Sequence, residues 1–295
     1  MVKDYILYAI LAGIVLVNGL FGYRFAIDYR KHREEARAEP GNPFLMFCSS
    51  FVLYFLSTFG VSDYALSTAF YRHMKWIDDK KLPGTLNTQC VLPVAVMALA
   101  YIQSIEVDLL TLVLCIVSQT LGAYILPRFV VKLPAQLIRR VIGFGLFGAV
   151  ILILLGKAGL FPLGGELTGL SGVKLVVTVL LFAVFGAMNT IGVGSYPITM
   201  FTVYAMGLHP VIAFPIMMGA CTFSVPVGSM EYVRLGEYGR KITLFSSTAG
   251  ILGVLLAVFV VKSMNISMLQ WLVAAILLYS SLTMLYQEYI AKRKA

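Results

Sequence analysis

Apolar residues run along this chain in long blocks, with neither the alternation of a strand nor the narrow stripe of an amphipathic helix. Residues 5–23, 85–104, 109–131, 137–156, 209–228, 242–261 and 269–287 carry almost no charge and hold about 19–23 residues each. At ~1.5 Å rise per residue, each predicts a helix able to cross ~30 Å of hydrocarbon. Two further apolar stretches, 44–71 and 173–203, are interrupted by polar residues. Residues 57–67 read Ser-Thr-Phe-Gly-Val-Ser-Asp-Tyr-Ala-Leu-Ser, and 189–199 read Asn-Thr-Ile-Gly-Val-Gly-Ser-Tyr-Pro-Ile-Thr. Thr58, Gly60, Val61 and Tyr64 thus recur as Thr190, Gly192, Val193 and Tyr196 at an offset of 132. The same offset carries Pro83 onto Pro215 and Thr111-Leu112 onto Thr243-Leu244, while Val130-Val131-Lys132 recurs at an offset of 130. A polar, glycine-bearing motif repeated within apolar sequence predicts a duplicated membrane protein.

The connections set the topology. The loop 28–43 carries Arg30, Lys31, Arg33 and Arg37, which places it in the cytoplasm and the N-terminus outside. The stretch 44–71 is followed by Arg72, Lys75, Lys80 and Lys81, so both of its ends are basic. A re-entrant hairpin satisfies this: residues 44–58 enter, the chain breaks at 59–62, and 63–72 returns on the same side. Residues 173–203 have non-basic ends and predict a second hairpin, entering from outside. A long, kinked single crossing is the alternative for each. The expected fold is all-α and polytopic, with about seven transmembrane helices, two re-entrant hairpins and an inverted internal repeat. Its parts are 1–43 (an extra helix and cytoplasmic loop), 44–156 (first repeat), 157–172 (linker), 173–288 (second, inverted repeat) and 289–295 (cytoplasmic tail). Three crossings per unit invert one copy relative to the other.

Composition agrees: 59% of residues are hydrophobic, 13% are charged, and the mean hydropathy is +0.87. The net charge of +9 is gathered in short connections, as topology determinants are, which argues against a nucleic-acid partner. The first apolar segment is expected to stay as a helix, because no small-x-small cleavage site follows it. Cys48, Cys90, Cys115 and Cys221 lie within apolar runs without CxxC spacing and are expected to be packing residues.

In each motif Gly60 or Gly192 permits a backbone break, and Ser62-Asp63 or Gly194-Ser195 can cap a returning half-helix. Two half-helix N-termini near the midplane would then offer partial positive charge and free N–H groups to a small anion. The candidate substrate-binding residues are Ser57, Thr58, Gly60, Ser62, Tyr64, Asn87, Asn189, Thr190, Gly192, Gly194, Ser195 and Tyr196. Gln89, Gln119, Thr222 and Ser224 are secondary candidates, for which interhelical packing is an equal explanation. Asp63 stands where the second copy has Ser195. As a carboxylate at membrane depth it is a candidate for carrying a coupled proton, since desolvation favours the neutral acid and an ionised one would repel an anion. A simple N-cap is the competing reading.

These same residues carry a resemblance. The two Gly-Val-x-x-Tyr motifs, residues 77–87 (Ile-Asp-Asp-Lys-Lys-Leu-Pro-Gly-Thr-Leu-Asn) and residues 207–210 leading into 213–219 are similar to the TauE/SafE family of sulfite and organosulfonate exporters, a group of anion permeases. The resemblance covers roughly 44–287 and leaves the first helix additional. It implies a duplicated transporter of small sulfur-containing anions. Asp63 departs from the small or hydroxyl residue expected at its position.

The leading expectation is a secondary transporter of such anions in the cell membrane, with alternating access. Its partners would be the small anion, the lipid bilayer and, if coupled, protons; a second copy of the chain is also allowed. Uptake of another small organic anion, such as a carboxylate, and an anion channel are the alternatives. An enzyme is disfavoured: His32, His73 and His209 lie at membrane edges, and there is no HExxH or paired intramembrane aspartate. No metal, cofactor or ATP-binding motif is expected.

Overall fold

The computed structural model describes residues 2–126 and 167–263, with single positions beyond. The expected crossings at 137–156 and 269–287, the basic loop between Arg128 and Arg140, most of the 157–172 linker and the 289–295 tail lie outside the described residues. Among the described residues the chain is helical, with no strand and one isolated backbone bridge between Leu167 and Leu208. Five of the described helices are long and apolar enough to cross a membrane, and the chain is a helical, multi-pass membrane protein.

Helix α1 spans Val2–Lys31, and the short α2 spans Arg33–Ala38. The expected cytoplasmic loop is therefore largely helical. Its Arg, Glu and Ala residues are good helix formers, and α1 continues past its apolar block on them. Helix α3 (Pro43–Thr58) starts on an Asn42 cap followed by Pro43, and α4 spans Asp63–Met74. Helices α5 (Leu82–Ser104) and α6 (Leu109–Ile125) follow, the latter capped by Asp108, which accepts from Thr111 N at 2.8 Å. After the undescribed segment come α7 (Gly172–Thr190), α8 (Tyr196–Ala205) and α9 (Ala213–Leu235). Helix α10 (Arg240–Phe245) then passes through a π turn, Ser246–Gly250, into α11 (Ile251–Ser263).

Helices α3 and α4 form a hairpin. A Cβ at Gly41, just before α3, would lie 3.1 Å from the Trp76 ring just after α4; a single crossing would hold those positions a membrane apart. Helices α7 and α8 form a second hairpin, because Lys174 Nζ reaches Met206 O at 3.0 Å and His209 N donates to Leu167 O at 3.0 Å. The two hairpins have their mouths at opposite ends of the bundle. The mouth of the first lies with the starts of α5 and α10, where Lys80 pairs with Glu237 at 2.8 Å and Arg240 with Asp28 at 2.7 Å. The hydrogen bond from Lys80 holds the exposed Glu237 carboxyl below its usual range, a contact worth little to stability at an exposed site. The mouth of the second hairpin lies with the α5–α6 turn, where Asp108 N donates to Thr168 O at 2.9 Å.

The first limb of each hairpin packs on a neighbouring helix, α7 on α6 and α3 on α11. A Cβ at Gly122 of α6 would overlap the Ala183 carbonyl oxygen of α7, and one at Gly253 of α11 would overlap the Phe51 carbonyl oxygen of α3. Gly122 and Gly253 stand 131 residues apart, and Phe51 and Ala183 stand 132 apart. Small residues let helix backbones touch where lipid supplies no hydrophobic drive between helices. Helix α1 lies outside this arrangement and is held at membrane depth by Asn18, whose Nδ2 donates to Thr222 O at 3.1 Å and to Thr222 Oγ1 at 2.9 Å.

Gly122→Ala and Gly253→Ala are each expected to destabilise the protein by about 1–3 kcal/mol through backbone overlap, read as a lowered unfolding temperature of the purified protein in detergent. Gly19→Ala, where a Cβ meets nothing within 4 Å, is expected to leave that temperature unlowered.

Candidate functional site

The two breaks are built alike. Helix α3 ends at Thr58 and α7 at Thr190, and each is followed by a glycine at positive φ, Gly60 (94°) and Gly192 (86°), where a side chain would be strained. Ending a helix inside an apolar bundle strands its last carbonyls. Tyr101 OH donates to Thr58 O at 2.9 Å, and Tyr232 OH donates to Thr190 O at 3.3 Å. These tyrosines are each the twentieth residue of their helix, α5 and α9. Asn87 Nδ2 adds 3.3 and 3.4 Å contacts to the carbonyls of Asn189 and Thr190, and Asn87 Oδ1 accepts from Tyr64 OH at 3.1 Å. One amide therefore ties α4, α5 and the second break together.

The starts of the returning half-helices touch. A Cβ at Gly194 would lie 2.5 Å from Ser62 Oγ and 3.3 Å from Tyr64 Cβ. Ser62 caps α4, accepting from Ala65 N at 3.3 Å. Ser195, the expected cap of α8, does not cap it. Its N–H goes instead to Asn189 Oδ1 at 2.9 Å, and its hydroxyl faces Cys221 Sγ at 3.8 Å. The Asn189 side chain closes the loop first, so the serine is released toward α9. The second turn lies beside the start of α5: a Cβ at Gly192 would lie 3.7 Å from Pro83 and Leu86. Helix α7 has 19 residues against 16 in α3, which at ~1.5 Å per residue carries its turn further.

The remaining candidates divide between two polar groups. Cys221 gathers Gln119 Nε2 at 3.2 Å and Asn189 Nδ2 at 3.5 Å, and Gln119 also reaches Ser224 Oγ at 3.1 Å. Gln89 Nε2 donates to Ser67 Oγ at 2.8 Å and Gln89 Oε1 accepts from Tyr71 OH, so Gln89 braces α4 against α5. The hydroxyls of Thr58 and Thr190 turn back to the carbonyls of Tyr54 and Gly186 in their own helices, at 2.7 and 3.1 Å. Thr222 is bound by Asn18 of α1 and stands apart from the breaks.

Asp63 is 2% exposed in the first turn of α4. Its Oδ2 is buried and has no hydrogen-bond partner. Tyr196 lies against Ser57, yet Ser57 Oγ makes no hydrogen bond of good geometry. The Tyr54 hydroxyl is likewise buried without a partner. Tyr54, Tyr101 and Tyr232 were hidden from sequence reading: Tyr54 is one aromatic among many in an apolar run, whereas the 131-residue spacing of Tyr101 and Tyr232 was a usable signal. Comparison of the chain with protein-family models, with curated proteins and with solved structures finds no match, so function is read from the site.

Tyr101→Phe is expected to destabilise the fold by about 1–3 kcal/mol, the penalty for a buried carbonyl left without its donor. Tyr232→Phe, with its longer and partly exposed bond, should lower the unfolding temperature less in the same assay.

Proposed function

We propose that the chain is a secondary transporter of small sulfur-containing anions such as sulfite or an organosulfonate, working by alternating access. The observation that carries this reading is the contact between the starts of α4 and α8, delivered by two hairpins whose mouths lie at opposite ends. In this reading the two halves, 44–156 and 173–288, form an inverted repeat, and the hairpins are re-entrant segments among seven crossing helices. The paired glycine contacts and the paired tyrosine caps support the duplication, because offsets of 131–132 recur in tertiary contacts as well as in sequence. Two half-helix starts and a set of hydroxyls and amides, with no Lys or Arg in either motif, suit a small anion that must be released as well as bound.

The basic connections support the orientation. Residues 32–42 and 75–81 and the start of α10 share one end, through the Glu39 carboxylate on Lys241 N at 2.7 Å and the Lys80–Glu237 pair. Residues 105–108, 167–171 and 206–212 at the other end contain no Lys or Arg. By the positive-inside rule the first end is cytoplasmic, with the N-terminus outside and the tail inside. Burial of Ser57, Thr58, Asn87 and Ser195, each at most 1% exposed, favours a carrier over an open channel. The resemblance to the TauE/SafE family names the cargo class, and Asp63 is the group to which proton coupling is assigned.

In proteoliposomes, sulfite flux should saturate and show counterflow. Gly194→Val, which drives a side chain between Ser62 and Tyr64, should lower it by about tenfold or more. Flux at channel rates, or flux of carboxylates with none of sulfite or sulfonates, would replace this reading with an alternative. Single cysteines at Lys75 and Gly207 should be labelled from the cytoplasmic and the external face respectively; the reverse pattern, or both on one face, would refute the topology.

A further inference from the structure

Three of the buried polar atoms that lack a partner, Tyr54 Oη, Ser57 Oγ and Asp63 Oδ2, belong to one hairpin and fall within ten residues of sequence. Tyr54 and Ser57 lie three positions apart on α3 and so share a face. The break at 59–62 joins the end of α3 directly to the start of α4, so Tyr54 and Ser57 in the last turns of α3 and Asp63 in the first turn of α4 lie together at the closed end of the hairpin. The second hairpin is built differently at the matching positions: Asn189 replaces Ser57 and satisfies the N–H of Ser195, which replaces Asp63. Among the described residues, only the first hairpin combines a buried carboxylate oxygen with hydroxyls that all lack partners.

Resting on the transporter reading above, we propose that Asp63 Oδ2, with Tyr54 and Ser57 as its positioning residues, is the site that binds and releases the coupled proton. The proton comes from water at one membrane face, forms an O–H bond at Oδ2, and returns to water at the other face when that bond breaks. Hydroxyls suit this task because they can donate to the ionised carboxylate and, after rotating, accept from the protonated one. A fixed cation would hold the acid in one state. The titratable groups that interact with Asp63 are Tyr54 from α3, Tyr64 and Tyr71 from α4, Cys90 from α5, Tyr196 from α8 and Cys221 from α9, none of them a cation. A metal cation is a poorer occupant. Hard cations gather about six oxygens, two of the neighbours are soft thiols, and among the described residues no three His, Cys, Asp or Glu gather to hold a metal ion.

The test is an infrared pH titration of the purified protein without substrate. Wild type should show a protonated-carboxyl band that titrates and that Asp63→Asn removes. Tyr54→Phe, which keeps the ring beside Gly250, should move the midpoint by roughly one pH unit; Ser57→Ala offers a second, smaller change and should move it too. A band unaffected by Asp63→Asn, or a wild-type midpoint in both hydroxyl variants, overturns the proposal. A sodium gradient that drives sulfite uptake at fixed pH also overturns it. If the band behaves as expected but reconstituted vesicles move no sulfite, the proton site stands and the cargo assignment falls.

Discussion

A helix cannot stop inside an apolar bundle without leaving carbonyls and N–H groups that neither lipid nor an aliphatic core can satisfy. This chain stops two helices there, and the polar side chains of its interior are disposed around that fact. The last carbonyls of α3 and α7 go to Tyr101 and Tyr232, and the Asn189 and Thr190 carbonyls share Asn87. Of the N–H groups after the breaks, that of Ala65 goes to Ser62 and that of Ser195 to Asn189. What is left over after this accounting, chiefly Ser57, Tyr54 and one oxygen of Asp63, is what the site has available for chemistry.

Satisfying the breaks also fixes the arrangement of the helices. Asn87 can serve the second break only if the first turns of α5 lie beside it, and Tyr232 can do so only if α9 runs past the same point. The first limbs are then free to pack outward, α7 on α6 through Gly122 and α3 on α11 through Gly253. Helix α1 adds a brace outside the paired halves, joined to α9 through Asn18–Thr222 and to the start of α10 through Asp28–Arg240.

The two hairpins differ at matching positions. In the second, Asn189 is long enough to satisfy the backbone of its own turn, and the Ser195 hydroxyl faces Cys221. In the first, the shorter Ser57 stands at that position, and its hydroxyl and Asp63 Oδ2 have no partner. Helix α6 runs unbroken, whereas its counterpart contains a π turn that places Ser246 3.3 Å from Ser50, an insertion of the kind often found near functional sites.

The apolar blocks, the two interruptions and the ends with and without basic residues were all legible from the chain alone. They are local signals: composition decides whether a segment can sit in hydrocarbon, and glycine followed by Ser-Asp or Gly-Ser decides where it can break. Helix ends were read less well. Helix α1 continues through charged residues to Lys31, and α9 begins at Ala213 and runs to Leu235, because Arg, Lys and Glu sustain a helix at a wet end as readily as leucine does within. Which polar residue meets which was not legible at all. Ser195 looked like a cap until Asn189 took its N–H, Thr222 looked like a site residue until Asn18 claimed it, and Tyr54 gave no signal. Burial and helix breaking depend on a residue and its neighbours in sequence, and those the sequence determined. Hydrogen-bond partners more than one hundred residues away depend on how helices cross, and that only the tertiary structure decided.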